Sequence, residues 1–383
     1  MGGTNLRICS VELTSERGGY SITQDKYILP ARLKRGTGDE LWEMVADKLL
    51  DFLRKHNLFP PNEEEEGEGE EEEEGKLPLA FTSRTPLHKT ISEGEDVVAQ
   101  LDAVLQRRHI PVRIVALVND TVGTLIASAY KNSEIRVGSI FGTGCNAAYM
   151  ERCRRIPKIS SSSGDQAQSS DSLVAISCEY GAFDNNRRVL PRTKFDVDID
   201  ATSARPGQQT YEKMVAAMYL GELLRLILLH LHESVRLFPD ADVSRLRVGG
   251  TMDAVSLSKM EADGSEAVRM DEARRILYDA YGFDARDPEL RVCCILAEVV
   301  CARAARLYAC GIAALCRKQG VPECAVGVKG LRLKSTHNSG SELLLPSLRF
   351  WTGQREKSEL SLFLRRMGLG FGAALIAAII LNQ

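Results

Sequence analysis

The sequence predicts an α/β protein of two lobes, and three features of the chain favour that class. Apolar runs short enough for buried strands, such as Arg113–Val118, alternate with helical patterns that are apolar on one side. This run ends in Asn119 and Asp120, and a small-residue turn then leads into a helix. Glycine turns at Gly2-Gly3 and Gly142–Gly144 flank this junction along the chain, and 383 residues suffice for two or three domains.

The elements before Asp120 follow from local patterning. Alternating or continuous apolar residues predict strands, whereas apolar residues three and four positions apart predict helices. A helix over Gly38–His56, for example, places Leu41, Val45 and Leu49 on one face. The strands expected here are Leu6–Leu13, Tyr20–Leu29, Leu77–Phe81 and Arg113–Val118, and a second helix is expected at Glu95–Arg107.

The elements after Asp120 begin with a helix that runs to Tyr130. A strand, a glycine turn and a second strand then occupy Gly138–Tyr149, and a serine-rich surface loop follows at Ile156–Leu173. Continuous apolar periodicity predicts one long helix over Pro206–Phe238. The other elements expected are strands at Val174–Phe183 and Cys324–Val328 and helices at Asp271–Tyr281, Pro288–Lys318 and 369–383.

Composition is that of an ordinary globular protein, with 44% hydrophobic and 26% charged residues. The net charge of −3 owes much to a run of glutamates between Glu63 and Glu74. The segment 62–75 cannot bury enough apolar surface to order itself, so it is predicted to be a disordered acidic insertion. Such a segment could attract a basic partner, but a solvated loop is the stronger interpretation. No dense basic stripe occurs, which argues against nucleic acid as a partner.

The cysteines predict a reducing compartment. The chain has ten cysteines without the paired spacing of zinc sites, and most lie singly in apolar surroundings. We therefore expect free thiols, no metal site built from protein ligands, and a cytoplasmic location. The apolar run near the end, Ala373–Leu381, is too short to cross a bilayer, so no membrane span is expected.

Asp120 stands at the carboxyl end of a buried strand, which is where open α/β sheets bind their ligands. Thr121 and Gly123 follow at once and place hydroxyl and backbone N–H donors at the start of a helix, a position suited to an anion. A carboxylate beside a phosphate site predicts a general base that takes a proton from an alcohol during phosphoryl transfer. In the alternative interpretation, Asn119 and Asp120 only end the strand and cap the helix.

The two glycine turns are candidate phosphate-binding hairpins, because glycine lets the backbone approach a phosphate closely. Taken singly, each turn could equally be a plain hairpin connection. Glu179 stands at a predicted strand end and Glu212 near the start of a predicted helix. Both acids could point into one cleft, or both could be solvated surface residues, as glutamates usually are.

Five segments, in this order, resemble the eukaryotic hexokinases, the fungal ones in particular. That family belongs to the sugar kinase, actin and Hsp70 class of ATP-binding folds. The segments are Gly2–Arg7, Val118–Thr124, Gly142–Ala147, Glu179–Phe183 and Pro206–Met214.

The resemblance implies the two-lobed ribonuclease H-like fold of that class. It divides the chain into a small lobe, residues 1–118 completed by the C-terminal helix 369–383, and a large lobe, residues 119–368. Members carry a strand ending in an acid before the first glycine turn, so the first strand of the small lobe is expected to be missing from this sequence. The family closes its two lobes around the sugar, which excludes water as a competing acceptor.

The resemblance also implies an activity, ATP-dependent 6-phosphorylation of a hexose such as glucose in glycolysis, with Mg²⁺ on the ATP phosphates. Asp120 would be the general base. Hexose hydroxyls would be bound by Asn119, Asn146, Glu179, Gln209 and Glu212. The nucleotide would be bound by Gly2, Gly3, Thr4, Asn5, Arg7, Thr143, Gly144 and Gly330.

Several segments depart from the family pattern. Arg84-Thr85-Pro86 replaces a Ser-Phe-Pro sugar loop, and a Trp-Thr-Lys-Gly-Phe loop is absent after Thr90. Near the expected adenosine site, Cys301-Ala302 and Lys329 replace residues of two family motifs. Three hypotheses therefore stand: an active hexokinase, a non-catalytic sugar sensor or regulator acting through unknown protein partners, and a fragmentary gene model of an active hexokinase.

Overall fold

The computed structural model of the chain describes residues 5–15, 18–34, 38–59, 76–83, 96–158, 171–262, 264–320, 325–330, 343–344, 348–349, 359–360 and 363–365. Four predicted features lie wholly or mostly outside the described residues: the acidic insertion 62–75, the C-terminal helix 369–383, the turn residues Gly2, Gly3 and Thr4, and the serine-rich loop, of which residues 159–170 are not described.

The described elements alternate between strand and helix in the first half of the chain and become mainly helical later. The strands are β1 (Asn5–Leu13), β2 (Tyr20–Ile28), β3 (Leu77–Ser83), β4 (Val112–Asn119), β5 (Ile135–Phe141), β6 (Cys145–Arg152), β7 (Leu173–Ser177), β8 (Ala325–Gly330) and the short β9 (Leu343–Leu344), β10 (Leu348–Arg349), β11 (Glu359–Leu360) and β12 (Phe363–Arg365). The helices are α1 (Gly38–Lys55), α2 (Val97–Arg107), α3 (Asp120–Lys131), α4 (Lys194–Thr202), α5 (Thr210–Val215), α6 (Ala217–Val235), α7 (Ala254–Glu261), α8 (Glu266–Ile276) and α9 (Asp287–Gln319).

The chain divides into two compact units. The first, unit 1, contains the residues up to Ser133, and the second, unit 2, runs from Glu134 to Arg366. Helix α3 belongs to unit 1 because Ala127 packs with Val11 and Tyr20 of the β1–β2 hairpin. The units therefore divide after α3, whereas the lobes predicted from the sequence divide before Asn119.

Unit 1 is built from two strand pairs covered by helices. Strands β1 and β2 pair antiparallel, and β3 pairs parallel with β4. Its core centres on Trp42 of α1, which is 0% exposed and donates its indole N–H to Gln100 of α2 at 2.9 Å. Phe81 of β3 meets the Trp42 ring edge-on at 5.9 Å between centroids. The predicted apolar face of α1 is confirmed and joins both sheets and α2 in one core.

Unit 2 contains a six-stranded sheet in the order β7-β6-β5-β8-β12-β9. The central strands β5 and β8 are parallel, with Phe141 opposite Gly330. Both strands therefore end at the same edge of the sheet. The turn Gly142–Gly144 begins at that edge and leads into β6, which returns antiparallel beside β5.

Helix α9 connects the cores of unit 2. Among the helices of the described ranges it is the one that is long and apolar enough to cross a bilayer, with a mean hydropathy of 1.6 over 18 residues. Its residues Leu290 and Cys293 are buried with α6, α7 and α8, and further along Tyr308 and Ile312 are buried against β5 and β6. Of the 18-residue apolar window itself, 33% is buried inside the structure.

Three predicted elements of unit 2 are wrong in extent. The helix expected over Asp271–Tyr281 begins five residues earlier, at Glu266, and its α-helical part ends at Ile276. The single helix expected over Pro206–Phe238 is divided into α5 and α6 at Ala216, whose backbone is extended at φ −77° and ψ 140°. The break lets the N–H of Ala217 donate to the carbonyl of Gly142 at 2.8 Å. The strand expected over Val174–Phe183 ends at Ser177, because a left-handed residue, Glu179 at φ 49°, turns the chain.

Candidate active site

Asp120 is the first residue of α3 and is 6% exposed. The helix begins there because the side-chain oxygen of Asn119 accepts the backbone N–H of Thr121 at 2.9 Å and of Val122 at 3.4 Å, which caps the helix. The helix N-terminus stabilises a carboxylate in its first turn. Asn119 thus has the capping role considered for it, while Asp120 is a buried acid whose role as general base stays a prediction.

The end of β3 lies beside this position. Ser83, the last residue of β3, is opposite Asn119 in the parallel register. The carboxyl ends of β3 and β4 therefore meet at one edge, as expected of a ligand-binding edge in an α/β sheet. The segment Arg84-Thr85-Pro86 follows Ser83 and lies outside the described residues.

Asn146 and Glu179, both predicted to bind the hexose, are in direct contact in unit 2. The side-chain amide of Asn146 donates to Glu179 Oε1 at 2.6 Å and to Ser177 Oγ at 3.1 Å. Ser177 Oγ in turn donates to the same Glu179 oxygen at 2.8 Å. The three side chains form a hydrogen-bonded triangle at the ends of β6 and β7. Glu179 is exposed, so its carboxylate can accept further hydroxyl donors.

Glu212 contacts the first residue of β6, Cys145. It occupies the first turn of α5, and its Oε2 accepts the backbone N–H of Cys145 at 2.9 Å. A Cβ at Gly144 would stand 2.6 Å from the same oxygen, so any side chain at this position would force the Glu212 carboxylate to move. Gly144, predicted for nucleotide phosphates, therefore also makes room for a predicted hexose-binding residue.

Gln209 completes the group. It precedes α5 in the left-handed region at φ 55°, and its side-chain oxygen lies 2.7 Å from where a Cβ of Gly181 would be. Gly181 follows Glu179 by two residues, and a Cβ at Gly181 would also lie 3.2 Å from Glu212 Cβ.

The thiol of Cys145 lies among these side chains. Burial, together with the charges of Glu212 and Glu179, raises the pKa of the Cys145 thiol well above its usual value. Asn146, Glu179, Gln209 and Glu212 are thus gathered around Cys145, and we call these four residues the polar cluster.

The structure describes five of the eight residues predicted to bind the nucleotide. Thr143 is exposed and Gly144 half-buried in the turn after β5, and Gly330 ends β8 beside Phe141, so all three share one sheet edge. Arg7 is exposed on β1, opposite Lys26, and Asn5 begins that strand. Gly2, Gly3 and Thr4 lie outside the described residues. The structure thus brings the turn at Gly142–Gly144 and the end of β8 together.

Sequence reasoning missed two residues that hold the site in place. Ser177 links Asn146 to Glu179, and Asn185 Oδ1 accepts the N–H of Thr210 at 3.2 Å at the start of α5. A polar residue at a strand end next to a predicted ligand was a usable signal for Ser177. Asn185 gave none, because it lies 25 residues from its partner in a turn of irregular backbone.

Comparison with known proteins decides the family. Two protein-family models, both described as hexokinase, match the chain, one over residues 136–379 and the other over residues 1–92 and 87–130.

The chain belongs to the hexokinase family.

Fungal hexokinases are similar to it over its whole length. A hexokinase of Emericella nidulans is 39% identical over 404 residues, which cover 100% of this chain and 79% of that protein. Hexokinase-1 of Saccharomyces cerevisiae is 38% identical over 400 residues, covering 99% of this chain and 79% of that protein. The predicted membership of the fungal-type hexokinases is confirmed, and the chain is a hexokinase-type phosphotransferase.

A solved structure agrees with the fold. The hexokinase from Schistosoma mansoni complexed with glucose matches with a TM-score of 0.74 and 30% identity, covering 99% of this chain and 84% of that one. The predicted α/β fold of the two-lobed sugar kinases is therefore confirmed. Membership in this family implies a nucleotide-dependent phosphoryl transfer.

The use of ATP and Mg²⁺ stays a prediction for this chain. Within the described ranges no three His, Cys, Asp or Glu side chains converge as a metal site. Mg²⁺ is usually held by substrate phosphates and water with few protein ligands, so a cage of side chains is not required.

Arg303 lies in the segment that resembles the family's adenosine motif. Its guanidinium group donates two hydrogen bonds to the carboxylate of Asp196, at 3.0 and 2.8 Å.

Proposed function

We propose that the chain transfers the γ-phosphoryl group of ATP to the 6-hydroxyl group of a hexose, with glucose as the first substrate to test. The observation that carries the proposal is the polar cluster around Cys145, where two carboxylates and two amides lie within one small region of unit 2. A hexose presents several neutral hydroxyl groups, which amides and carboxylates bind selectively. The glucose complex of the Schistosoma mansoni hexokinase supports the choice of substrate.

Each group of residues has one task in the proposed reaction. Asn146, Glu179, Gln209 and Glu212 bind and orient the sugar. Thr143, Gly144 and Gly330 lie at the edge of the sheet, where backbone N–H groups can bind the nucleotide phosphates. The carboxylate of Asp120 accepts the proton of the 6-hydroxyl group as this oxygen attacks the γ-phosphate. Mg²⁺ on the phosphates would neutralise the charge that develops during transfer.

The test is a coupled assay for hexose 6-phosphate that compares the wild type with Asp120→Asn. We expect kcat to fall by at least about a hundredfold, because the amide cannot accept the proton. Asp51→Asn is the control, since Asp51 is a surface acid of the same unit that pairs with Lys48. Turnover in Asp120→Asn equal to that of the wild type would remove Asp120 from the mechanism.

The coupled assay and a binding measurement together separate the enzyme from a sugar sensor. Calorimetric titration with glucose measures binding without requiring turnover. Binding together with production of glucose 6-phosphate supports the proposed enzyme. Binding by the wild type without any product would instead support the non-catalytic sensor considered from the sequence.

We also propose a cytoplasmic location. Nine cysteines of the described ranges are free thiols, and Cys145, Cys293, Cys294 and Cys316 are buried. Unpaired thiols in such number are typical of proteins kept in a reducing compartment. Fractionation of the source cells should recover the protein with soluble cytoplasmic markers, and recovery with an organelle would contradict the proposal.

A further inference from the structure

A buried ion cluster lies next to the polar cluster. Asp200, near the end of α4, is 5% exposed, and its carboxylate accepts a hydrogen bond from Lys213 Nζ at 2.6 Å. Arg187 donates to it at 3.0 Å, and Arg192 lies 3.6 Å away. Lys213 is itself only 5% exposed. One buried carboxylate thus pairs with a buried lysine and with two arginines next to the polar cluster.

The ion cluster fixes the segment that leads into α5. The backbone N–H of Gly207 donates to both oxygens of Asp200, at 3.0 and 3.2 Å. Lys213 also donates to the carbonyl of Arg205 at 2.7 Å. Two buried side chains therefore hold the backbone at Arg205 and Gly207 and connect it to α4 on one side and α5 on the other.

Two members of the polar cluster lie close in sequence to the residues that the ion cluster holds. Gln209 follows Gly207 by two positions, and Glu212 directly precedes Lys213. Gln209 has a left-handed backbone, which costs a non-glycine residue on the order of 1 kcal/mol and persists only where neighbours impose it. Helix α5 has six residues, too few to be stable alone. The position of Gln209 and Glu212 thus depends on contacts outside their own segment.

We infer that Asp200 and Lys213 are positioning residues for the hexose. Their buried ion pair sets the place of Gln209 and Glu212 without touching the sugar. The inference rests on the proposed function, because it assigns these two residues to the site that binds the hexose.

Removing either Asp200 or Lys213 should destabilise the protein more than removing a surface ion pair would. A buried cation left without its counter-ion is strongly unfavourable, so Lys213 would move or recruit water. Burial alone would raise the pKa of Asp200, but the hydrogen bonds from Lys213 and Gly207 N–H and the charges of Lys213 and Arg192 hold it below its usual value. Asp200 is therefore ionised throughout the range in which the enzyme would be assayed.

The experiment compares Asp200→Asn and Lys213→Met with the control Asp196→Asn. Asp196 lies one turn earlier on α4, is 4% exposed, and pairs with Arg303 and Thr193 rather than with the segment before α5. The measurements are the Kd for glucose by calorimetry, KM for glucose, KM for ATP, and the thermal midpoint. Lys213→Met is the milder variant, since it leaves Asp200 with Arg187, Arg192 and Gly207.

We expect both test variants to raise the Kd and KM for glucose by about tenfold or more, since a displacement of about 1 Å can cost on the order of a hundredfold. KM for ATP should stay within about twofold in both. Asp196→Asn should lower the thermal midpoint while leaving the Kd for glucose within about twofold of the wild type. A merely structural role predicts the same effect on glucose binding in all three variants.

The outcomes separate this inference from the proposed function. Unchanged glucose affinity in Lys213→Met and Asp200→Asn, or an equal change in Asp196→Asn, overturns the inference while the wild-type activity stands. If the wild type binds glucose without turnover, the proposed function fails and the Kd values alone decide the inference. If the wild type binds no glucose, both are overturned.

Discussion

At the scale of single residues, Gly144 combines a predicted role with an observed packing role. Sequence reasoning assigned it to the nucleotide phosphates, because glycine permits close approach of backbone to phosphate. The structure adds a second demand, since the Glu212 carboxylate occupies the space where a Cβ would stand. The absence of a side chain thus lets the turn after β5 lie directly against α5.

Gly144→Ala should weaken hexose binding. The new methyl group would lie 2.6 Å from Glu212 Oε2 and would displace that carboxylate and its hydrogen bond from Cys145 N–H. We expect KM for glucose to rise by about tenfold to a hundredfold. Steady-state kinetics at saturating ATP measure this change.

Gly264→Ala is the matched control for that variant. A Cβ at Gly264 would make only ordinary contacts, at 3.7 Å from Val268, and the same chemical change there should leave KM for glucose within about twofold. A normal KM for glucose in Gly144→Ala would show that Glu212 either tolerates the shift or does not bind the sugar.

At the scale of elements, the sequence predicted those whose pattern is strong and local. Strand β1, helix α1 and helix α9 were placed within two residues, because their apolar periodicity is long and ends in clear turn residues. The predicted junction of β4 and α3 at Asn119 and Asp120 is also confirmed. In the polar cluster, Glu179 and Glu212 were candidates from their positions at element ends, whereas Asn146 and Gln209 could be identified only through the resemblance to a family.

The break between α5 and α6 could not be predicted from the sequence. Apolar residues keep a helical period through Ala216, and alanine has the highest helix propensity. The N–H of Ala217 is instead engaged by Gly142, which lies far earlier in the chain. A tertiary hydrogen bond thus overrides local preference, and the same contact joins α6 to the glycine turn of the candidate active site.

Helix α6 makes a second close approach, at Gly221. A Cβ there would stand 2.4 Å from the carbonyl oxygen of Met252 and 2.6 Å from atoms of Asp253, all of them backbone. Backbone cannot give way as a side chain tip can, so Gly221→Ala should destabilise the fold by about 1–3 kcal/mol despite the better helix propensity of alanine. Calorimetry should show a lower thermal midpoint, at roughly 2–4 °C for each kcal/mol.

The opposite result for Gly221 is also informative. An alanine in an open helix usually raises stability, and Gly221→Ala would do so if α6 did not contact the Met252–Asp253 backbone. A higher midpoint than the wild type would therefore contradict the packing of α6 against the start of α7.

At the scale of the whole molecule, each unit has a core of its own. Unit 1 packs around Trp42 and Phe52 of α1, while unit 2 packs around α6, α9 and the strands β5, β6 and β8. Two lobes were predicted from length and from the resemblance, but not the place of α3. That helix joins unit 1 through Ala127 and Tyr130 against the β1–β2 hairpin, a contact between segments distant in sequence.

Because the polar cluster lies wholly within unit 2, glucose without nucleotide should stabilise local structure there. A ligand at about a hundred times its Kd stabilises the bound state by about 2.7 kcal/mol, which slows the local openings that allow amide exchange. Hydrogen–deuterium exchange with glucose should show protection in residues 142–147, 177–181 and 205–216.

The experiment has two controls. Helix α1 of unit 1 contains no predicted site residue, so its exchange rate should not change. Sorbitol at the same concentration controls for solvent effects. Protection spread equally over α1 and these segments, or absent from them, would mean that the polar cluster is not where this hexokinase holds its sugar.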